Sequence, residues 1–273
     1  MKTILENVRK NAPLVHFITN YVTVNDVANM MLACGGSPIM SDEILDVEDI
    51  TTICNALVIN IGTLNQNTIE SMIVAGKKAN ELGHPVVLDP VGAGASKLRT
   101  ETTFRLLKEV KFAVIRGNIS EIKTVYSGSG STKGVDADVA DAVTDANLAE
   151  TAAFAKELSK TTGAVIAITG AIDFIEVANE AYAIRNGVEA MSKITGTGCM
   201  LSGVVAAYVA ANPDDKLKAV TAAVVAEGLC GEMAAKRTEA EGGGTSSLRT
   251  YLIDAMSNLD GKTLETGAKV EYL

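Results

Sequence analysis

The sequence predicts an α/β fold: a central, mostly parallel sheet with helices on both faces. Short, continuous apolar runs recur along the chain, separated by longer stretches with helical spacing. Strands apolar on both sides belong to parallel sheets covered on both faces. The chain has 273 residues, 47% of them hydrophobic, enough for one large core.

The elements follow in order. Residues 57–61 (LVINI) read as a buried strand. Residues 67–82 read as a helix, with Asn67 as cap, Glu70 as its capping-box partner and Gly83 ending it. Residues 86–89 form the next strand, stopped by Pro90 and Gly92. A helix over 99–110, a strand over 112–115, a helix over 147–160 and a strand over 164–169 continue the alternation. Residues 174–177 and 180–184 are short, with a turn between, and read as antiparallel strands at a sheet edge. The remainder is helical: 199–211, 216–236 and 247–258. No repeat or low-complexity tract occurs, and the polar stretch 127–133 is too short to separate domains. Residues 1–273 are therefore expected to form one domain.

Composition narrows the function. The net charge of −9 argues against nucleic-acid or anionic-membrane surfaces, which favour basic patches. With no Trp and 4% aromatic residues there is little material for base stacking. No apolar run approaches the ~18 residues of a membrane span, and the first residues carry no signal-peptide pattern. Cys34, Cys54, Cys199 and Cys230 show no C-x-x-C spacing, so reduced thiols in a cytoplasm are expected. His16 and His84 are read as ordinary loop histidines, and Cys34, Cys54 and Cys230 as small core residues.

The most informative stretch is ITGTGCMLSG, 194–203, a glycine-rich turn running into the apolar VVAAYVA of 204–210. It reads either as a tight turn with close packing or as an anion site. A helix N-terminus leaves N–H groups unpaired and carries partial positive charge. Cys199 stands at that mouth. No Gly-Lys-Ser/Thr follows, which excludes a Walker A loop.

Ligands of open α/β sheets bind beyond the carboxyl ends of the strands. Those ends carry Asn60 and Gly62; Asp89, Pro90, Gly92 and Gly94; Arg116, Asn118 and Glu121; and Thr169 and Gly170. Carboxylates suit a hard cation, Arg suits phosphate, and glycine permits close approach. Each residue also has a plainer reading. Asp89 can cap a turn, Asn118 can cap the helix that follows, Glu121 can be a first-turn charge, and Arg116 can be a surface charge. A cysteine-nucleophile enzyme would need a histidine base, and only two histidines exist.

The chain resembles the hydroxyethylthiazole kinases of thiamine salvage, members of the ribokinase-like superfamily. The resemblance rests on TNYVTVNDVAN (19–29), GSPIM (36–40), VLDPVGAG (87–94), RGNISE (116–121), TKGVD (132–136) and ITGTGCML (194–201). The EGGGTS loop (241–246) is a little looser than the family pattern. The resemblance implies a ribokinase-like fold and ATP-dependent phosphorylation of the hydroxyl of hydroxyethylthiazole. It implies that Met40 contacts the thiazole, with Asn25 nearby and Gly196 at the substrate. Arg116 and Thr169 would meet the ATP phosphates, and Glu121 and Asp89 would organise Mg²⁺ and its waters. Cys199 stands where the wider superfamily has its aspartate base, so Cys199 and Asp89 are the implied catalytic pair. The resemblance also implies a homotrimer with substrate sites between subunits.

Overall fold

The structure is a computed structural model that describes residues 1–127, 143–177 and 180–273. The TKGVD stretch (132–136) and most of the polar stretch 127–133 lie outside these residues. The helices are α1 (Lys2–Asn11), α2 (Val24–Cys34), α3 (Val47–Ile53), α4 (Gln66–Leu82), α5 (Lys97–Glu109), α6 (Ile119–Ser127), α7 (Leu148–Thr162), α8 (Thr197–Ala211), α9 (Lys216–Ala240), α10 (Thr245–Asn258) and α11 (Gly261–Gly267). The strands are β1 (Leu14–Ile18), β2 (Ser37–Met40), β3 (Ala56–Asn60), β4 (Val86–Asp89), β5 (Val114–Asn118), β6 (Val165–Thr169), β7 (Asp173–Val177), β8 (Glu180–Ile184) and β9 (Val270–Tyr272).

The strands form one sheet in the order β2-β1-β3-β4-β5-β6-β7-β8-β9. From β2 to β6 all pairs are parallel, and β7, β8 and β9 are antiparallel. The antiparallel edge read from the sequence is therefore present, with β9 added outside it. Alternating side chains feed two cores. Val15 and Phe17 of β1, Val58 of β3 and Val87 of β4 join the core shared with α8, α9 and α10. Ile18, Leu57, Ile59 and Leu88 join the opposite core, with α4 to α7. This alternation explains why the strands read as unbroken apolar runs.

The sequence misplaces several boundaries. The cap of α4 is Asn65, not Asn67: its side chain accepts from Thr68 N–H at 3.0 Å while Thr68 Oγ1 accepts from Asn65 N–H at 3.1 Å. The box closes with threonine, and Glu70 turns outward to an ion pair with Arg105. β5 begins two residues later than expected and runs through Asn118, so Arg116 lies within the strand. His16 is not in a loop; it is fully buried on β1. Cys34, Cys54 and Cys230 are buried among core residues as expected. α1, β1, α2, β2, α3, α11 and β9 fall outside the segments read from periodicity.

β1 and β3 are neighbours, yet the chain leaves β1 toward β2 and leaves β3 in the opposite direction. That reversal opens a crevice beyond the carboxyl ends of β1 and β3. On the next rim positions Asn60 and Asp89 are register partners, as are Asn118 and Thr169. The polar residues noted at four strand ends thus share one rim.

Replacing Asn65 with Ala should cost about 1 kcal/mol of stability. Asn67→Ala should cost less than about 0.5 kcal/mol. Urea unfolding of the two variants decides the matter, and equal losses would contradict the assigned cap.

Candidate active site

α8 begins at the mouth of the crevice. Gly196 is its N-cap, with φ +90°, a left-handed conformation that a side chain would strain. From there the helix runs into the core, buried from Met200 to Val209. Its first turn therefore has no freedom to move away from the strand ends. Cys199, on that turn, faces Asn20 just beyond β1 and Asn60 at the end of β3. Their amide nitrogens stand 3.1 and 3.3 Å from its Sγ.

Backbone groups fix both amide orientations. Asn20 Oδ1 accepts from Thr23 N–H at 3.1 Å, and Asn60 Oδ1 accepts from Gly62 N–H at 2.9 Å. An N–H can only donate, so each Oδ1 is committed and each Nδ2 must face the other way. Asn20 Nδ2 then donates to Asn60 Oδ1 at 3.2 Å and to Cys199. Asn60 Nδ2 donates to Asp89 Oδ2 at 2.8 Å and to Cys199. Burial and the nearby Asp89 push the Cys199 thiol up, against the opposing bonds from Thr23 and Asn20. The thiol is held protonated at neutral pH.

Asp89 is fully buried. Its Oδ2 accepts from Asn60, from Ser202 Oγ at 2.8 Å, and from Arg116 Nη1 at 3.4 Å. Its Oδ1 is buried without a partner. Burial raises its pKa, opposed by Arg116, Ser202 and Asn60. Ser202 lies three residues beyond Cys199 on α8, hence on the same helix face.

Arg116 is no surface charge. It is 8% exposed, donates to Thr169 Oγ1 at 2.6 Å, and lies flat against the first turn of α8. A Cβ on Gly198 would stand 2.7 Å from Arg116 Nη1, so a side chain there would push the guanidinium from its place. The cation and the helix N-terminus thereby present positive charge at one place.

Glu121 is the first-turn charge of α6, as the plainer reading of the sequence allowed. Its Oε2 accepts from Asn118 N–H at 2.8 Å while Asn118 Oδ1 accepts from Glu121 N–H at 2.9 Å, a reciprocal cap of α6. Its Oε1 reaches Gly92 N–H at 2.7 Å, tying the loop after β4 to the end of β5. Burial and Asp89 push its pKa up to about 7, outweighing the two backbone bonds. Among the described residues no group of three or more His, Cys, Asp or Glu side chains could cage a metal. Asp89 and Glu121 nonetheless fit a cation held through water, because they place two buried carboxylates beside one guanidinium, with Asp89 Oδ1 unpartnered. Mg²⁺ keeps several waters and binds through one or two carboxylates plus substrate phosphates.

The chain brings together Cys199, Asp89, Arg116, Thr169, Glu121 and Gly196. Met40 ends β2, the outermost strand, and pairs with Phe17 of β1. Asn25 does not join them. It lies exposed on α2, its Oδ1 bonded by Asn29 Nδ2 at 3.1 Å. The element closest to its expected place is Thr23, which packs on Gly196. Sequence reasoning gave no role to Asn20, Thr23 or Ser202, and noted Asn60 only as a polar residue at a strand end. The signal was a polar residue closing an apolar strand at Asn60, and a hydroxyl one turn past Cys199.

The profile of the hydroxyethylthiazole kinase family matches residues 5–262. A hydroxyethylthiazole kinase of Clostridium acetobutylicum is 62% identical over 99% of both chains. The chain belongs to the hydroxyethylthiazole kinase family. A solved hydroxyethylthiazole kinase structure from Pyrococcus horikoshii OT3 superposes with a TM-score of 0.87 at 34% identity, covering 100% of this chain and 98% of that one. A ribokinase-like superfamily protein from Enterococcus faecalis V583 superposes with a TM-score of 0.60 at 15% identity, covering 94% of this chain and 95% of that one. The second likeness concerns the fold, which is ribokinase-like.

A further buried carboxyl belongs to α9. Glu227 of α9 is 2% exposed with Oε2 unpartnered, and burial pushes its pKa up to about 8. A carboxyl raised in the folded state keeps its proton there while the unfolded chain has lost it. Its stabilising contribution is full below the ordinary carboxylate pKa and is lost as pH rises through about 7 for Glu121 and about 8 for Glu227. Unfolding free energy should therefore fall from about pH 5 to about pH 8. Glu227→Gln should flatten that slope. Urea titrations across this range check it, and an unchanged slope would show that Glu227 is ionised in the folded protein.

Proposed function

We propose that this chain transfers the γ-phosphoryl group of ATP to the hydroxyl of hydroxyethylthiazole, with Mg²⁺, as a step of thiamine salvage. The observation that carries this reading is the meeting of Arg116, Asp89 and Cys199 at the first turn of α8 in a member of this family. A phosphate at that turn would meet unpaired N–H groups, the positive end of the helix dipole and a guanidinium. The alcohol would sit beside Cys199, toward Met40. Bond formation from the alcohol oxygen to phosphorus, with cleavage toward ADP, passes through a loose transition state. Positioning and charge neutralisation do most of the work there. A thiol held protonated is a poor base, and such a transition state asks little of one. Cys199 then acts chiefly as a polar wall whose position Asn20 and Asn60 fix. Arg116 and Thr169 hold phosphate oxygens, and Asp89 and Glu121 would hold the hydrated Mg²⁺. When bound, the ion neutralises charge on the phosphates.

A homotrimer with sites shared between subunits is part of the proposal. Its support is the exposed apolar set around the β2 edge: Tyr21, Val22, Leu32, Leu45 and Ile53 are 60–89% exposed. Patches of this kind mark interfaces. Asn25 faces outward on the same helix as Leu32. A neighbour would bring it to a site that one chain leaves incomplete.

Three outcomes are expected. In an ATP-dependent assay across hydroxyethylthiazole, hydroxymethylpyrimidine and ribose, the thiazole alcohol should give the highest kcat/KM; a higher value for either competitor would overturn the substrate assignment. Asp89→Asn and Glu121→Gln should each cost more rate than Cys199→Ala, whose loss should stay at or below about 10²-fold. Steady-state kinetics check this, and Cys199→Ala proving the most damaging would make the thiol a principal catalytic group. Light scattering should give a trimer. Mixing inactive Asn25 and Gly196 variants after dissociation should restore part of the activity, and hybrid trimers that stay inactive would rule out a shared site.

A further inference from the structure

His16 is buried on β1, and the face it occupies is the one that packs on α3. It stands between two elements that are also joined by the Ser41 hydroxyl, which donates to Asp46 Oδ2 at the start of α3 at 2.5 Å. Nδ1 lies 2.9 Å from Thr51 Oγ1 on α3, and Nε2 lies 2.8 Å from the carbonyl oxygen of Ser41, the residue after Met40. A carbonyl only accepts, so Nε2 carries the hydrogen. Burial lowers the pKa of the ring, opposed by Ser41 and the charge of Asp46, and the neutral ring fits this pairing. Nδ1 is then an acceptor. The single hydroxyl hydrogen of Thr51 is shared between it and the carbonyl of Val47, 2.6 Å away.

Met40 needs such a tether. β2 is the edge strand, paired only with β1, and all its residues are half-buried. The backbone bond that continues the ladder past Met40, from Ser41 N–H to Phe17 C=O, is long at 3.4 Å. Beyond it the chain runs through exposed Ile44 and Leu45 before α3 begins. The part-buried hydrogen bond between His16 and Ser41, together with the Ser41–Asp46 bond, holds the chain where the strand ends at Met40.

We infer that His16 is a positioning residue for the acceptor side of the site: by holding Ser41 against α3 it sets where Met40 stands. The inference rests on the proposed role of Met40 at the acceptor alcohol. It concerns the acceptor and not the nucleotide, since Arg116 and Thr169 lie four and five strands away along the sheet from β2.

The test compares His16→Leu, which removes both bonds, with His16→Gln, whose amide nitrogen can still donate to Ser41. Each variant is assayed with hydroxyethylthiazole and ATP, and hydrogen exchange of residues 41–46 is measured on the same proteins without substrate. In His16→Leu the KM for the alcohol should rise about tenfold, the scale of one lost hydrogen bond. The KM for ATP and kcat should stay within about twofold, and residues 41–46 should exchange faster. His16→Gln should recover most of both effects. Should His16→Leu fail to fold, Thr51→Val, which deletes only the hydroxyl partner, is expected to show the same split in smaller degree. Unchanged exchange would overturn the tether. Faster exchange with an unchanged acceptor KM, equal losses toward ATP, or no recovery in His16→Gln would overturn the positioning role. A wild-type protein inactive on the thiazole alcohol would overturn the substrate reading instead, while the exchange comparison still decides the tether.

Discussion

Everything at this site is arranged around one buried carboxylate. Asp89 Oδ2 gathers donors from three separate parts of the fold: the amide of Asn60 on β3, the hydroxyl of Ser202 on α8 and the guanidinium of Arg116 on β5. A buried charge is tolerated only when paired and hydrogen-bonded. Each donor is therefore obliged to be where it is, and the groups behind it inherit the constraint. Asn60 cannot turn because of Gly62, Asn20 cannot turn because of Thr23, and Cys199 is left facing two N–H groups. Arg116 reaches Asp89 only across a glycine.

The chemistry and the fold meet in the order of the strands. Because the chain turns one way after β1 and the other way after β3, the crevice opens where Asn20 and Asn60 stand. Because the helix that closes the crevice is buried on all sides from Met200 to Val209, its first turn is fixed by the core behind it. A glycine-rich start and a fully buried body are two halves of one device, flexible enough in conformation to receive an anion and rigid in position. The net negative charge of the chain is no obstacle, since the positive potential is local to that turn.

The fold was legible wherever strands were apolar on both faces and helices were punctuated by glycine. The run from 57 to 115 shows this, with boundary errors of at most three residues. The cap of α4 went wrong because two asparagines stand two residues apart and only the backbone geometry chooses between them. β5 was cut short because Arg116 and Asn118 look like loop residues until a buried carboxylate is known to lie opposite. His16 was read as a loop residue because nothing around it in sequence announces Thr51 and Ser41. Of the site, the strand-end residues and the GTGC turn were legible as residue types at strand ends. The amide chain that links them was not, since hydrogen bonds between strands leave no local pattern. The family resemblance supplied what spacing could not, namely a heterocyclic alcohol as acceptor.

The place of Met40 on the outermost strand has a mechanical consequence. The wall that carries Asp89, Arg116 and Thr169 is built on β4, β5 and β6, each clamped by a strand on both sides, while the wall that carries Met40 ends on a strand clamped on one. The two walls of a single crevice therefore differ in stiffness. If the proposed site is right, the less clamped wall is the one that would give way to admit and release an alcohol while the charged wall held its geometry. On the proposed reading, binding and release of the small substrate would in this way be mechanically separated from the part of the site where charge must be kept in register.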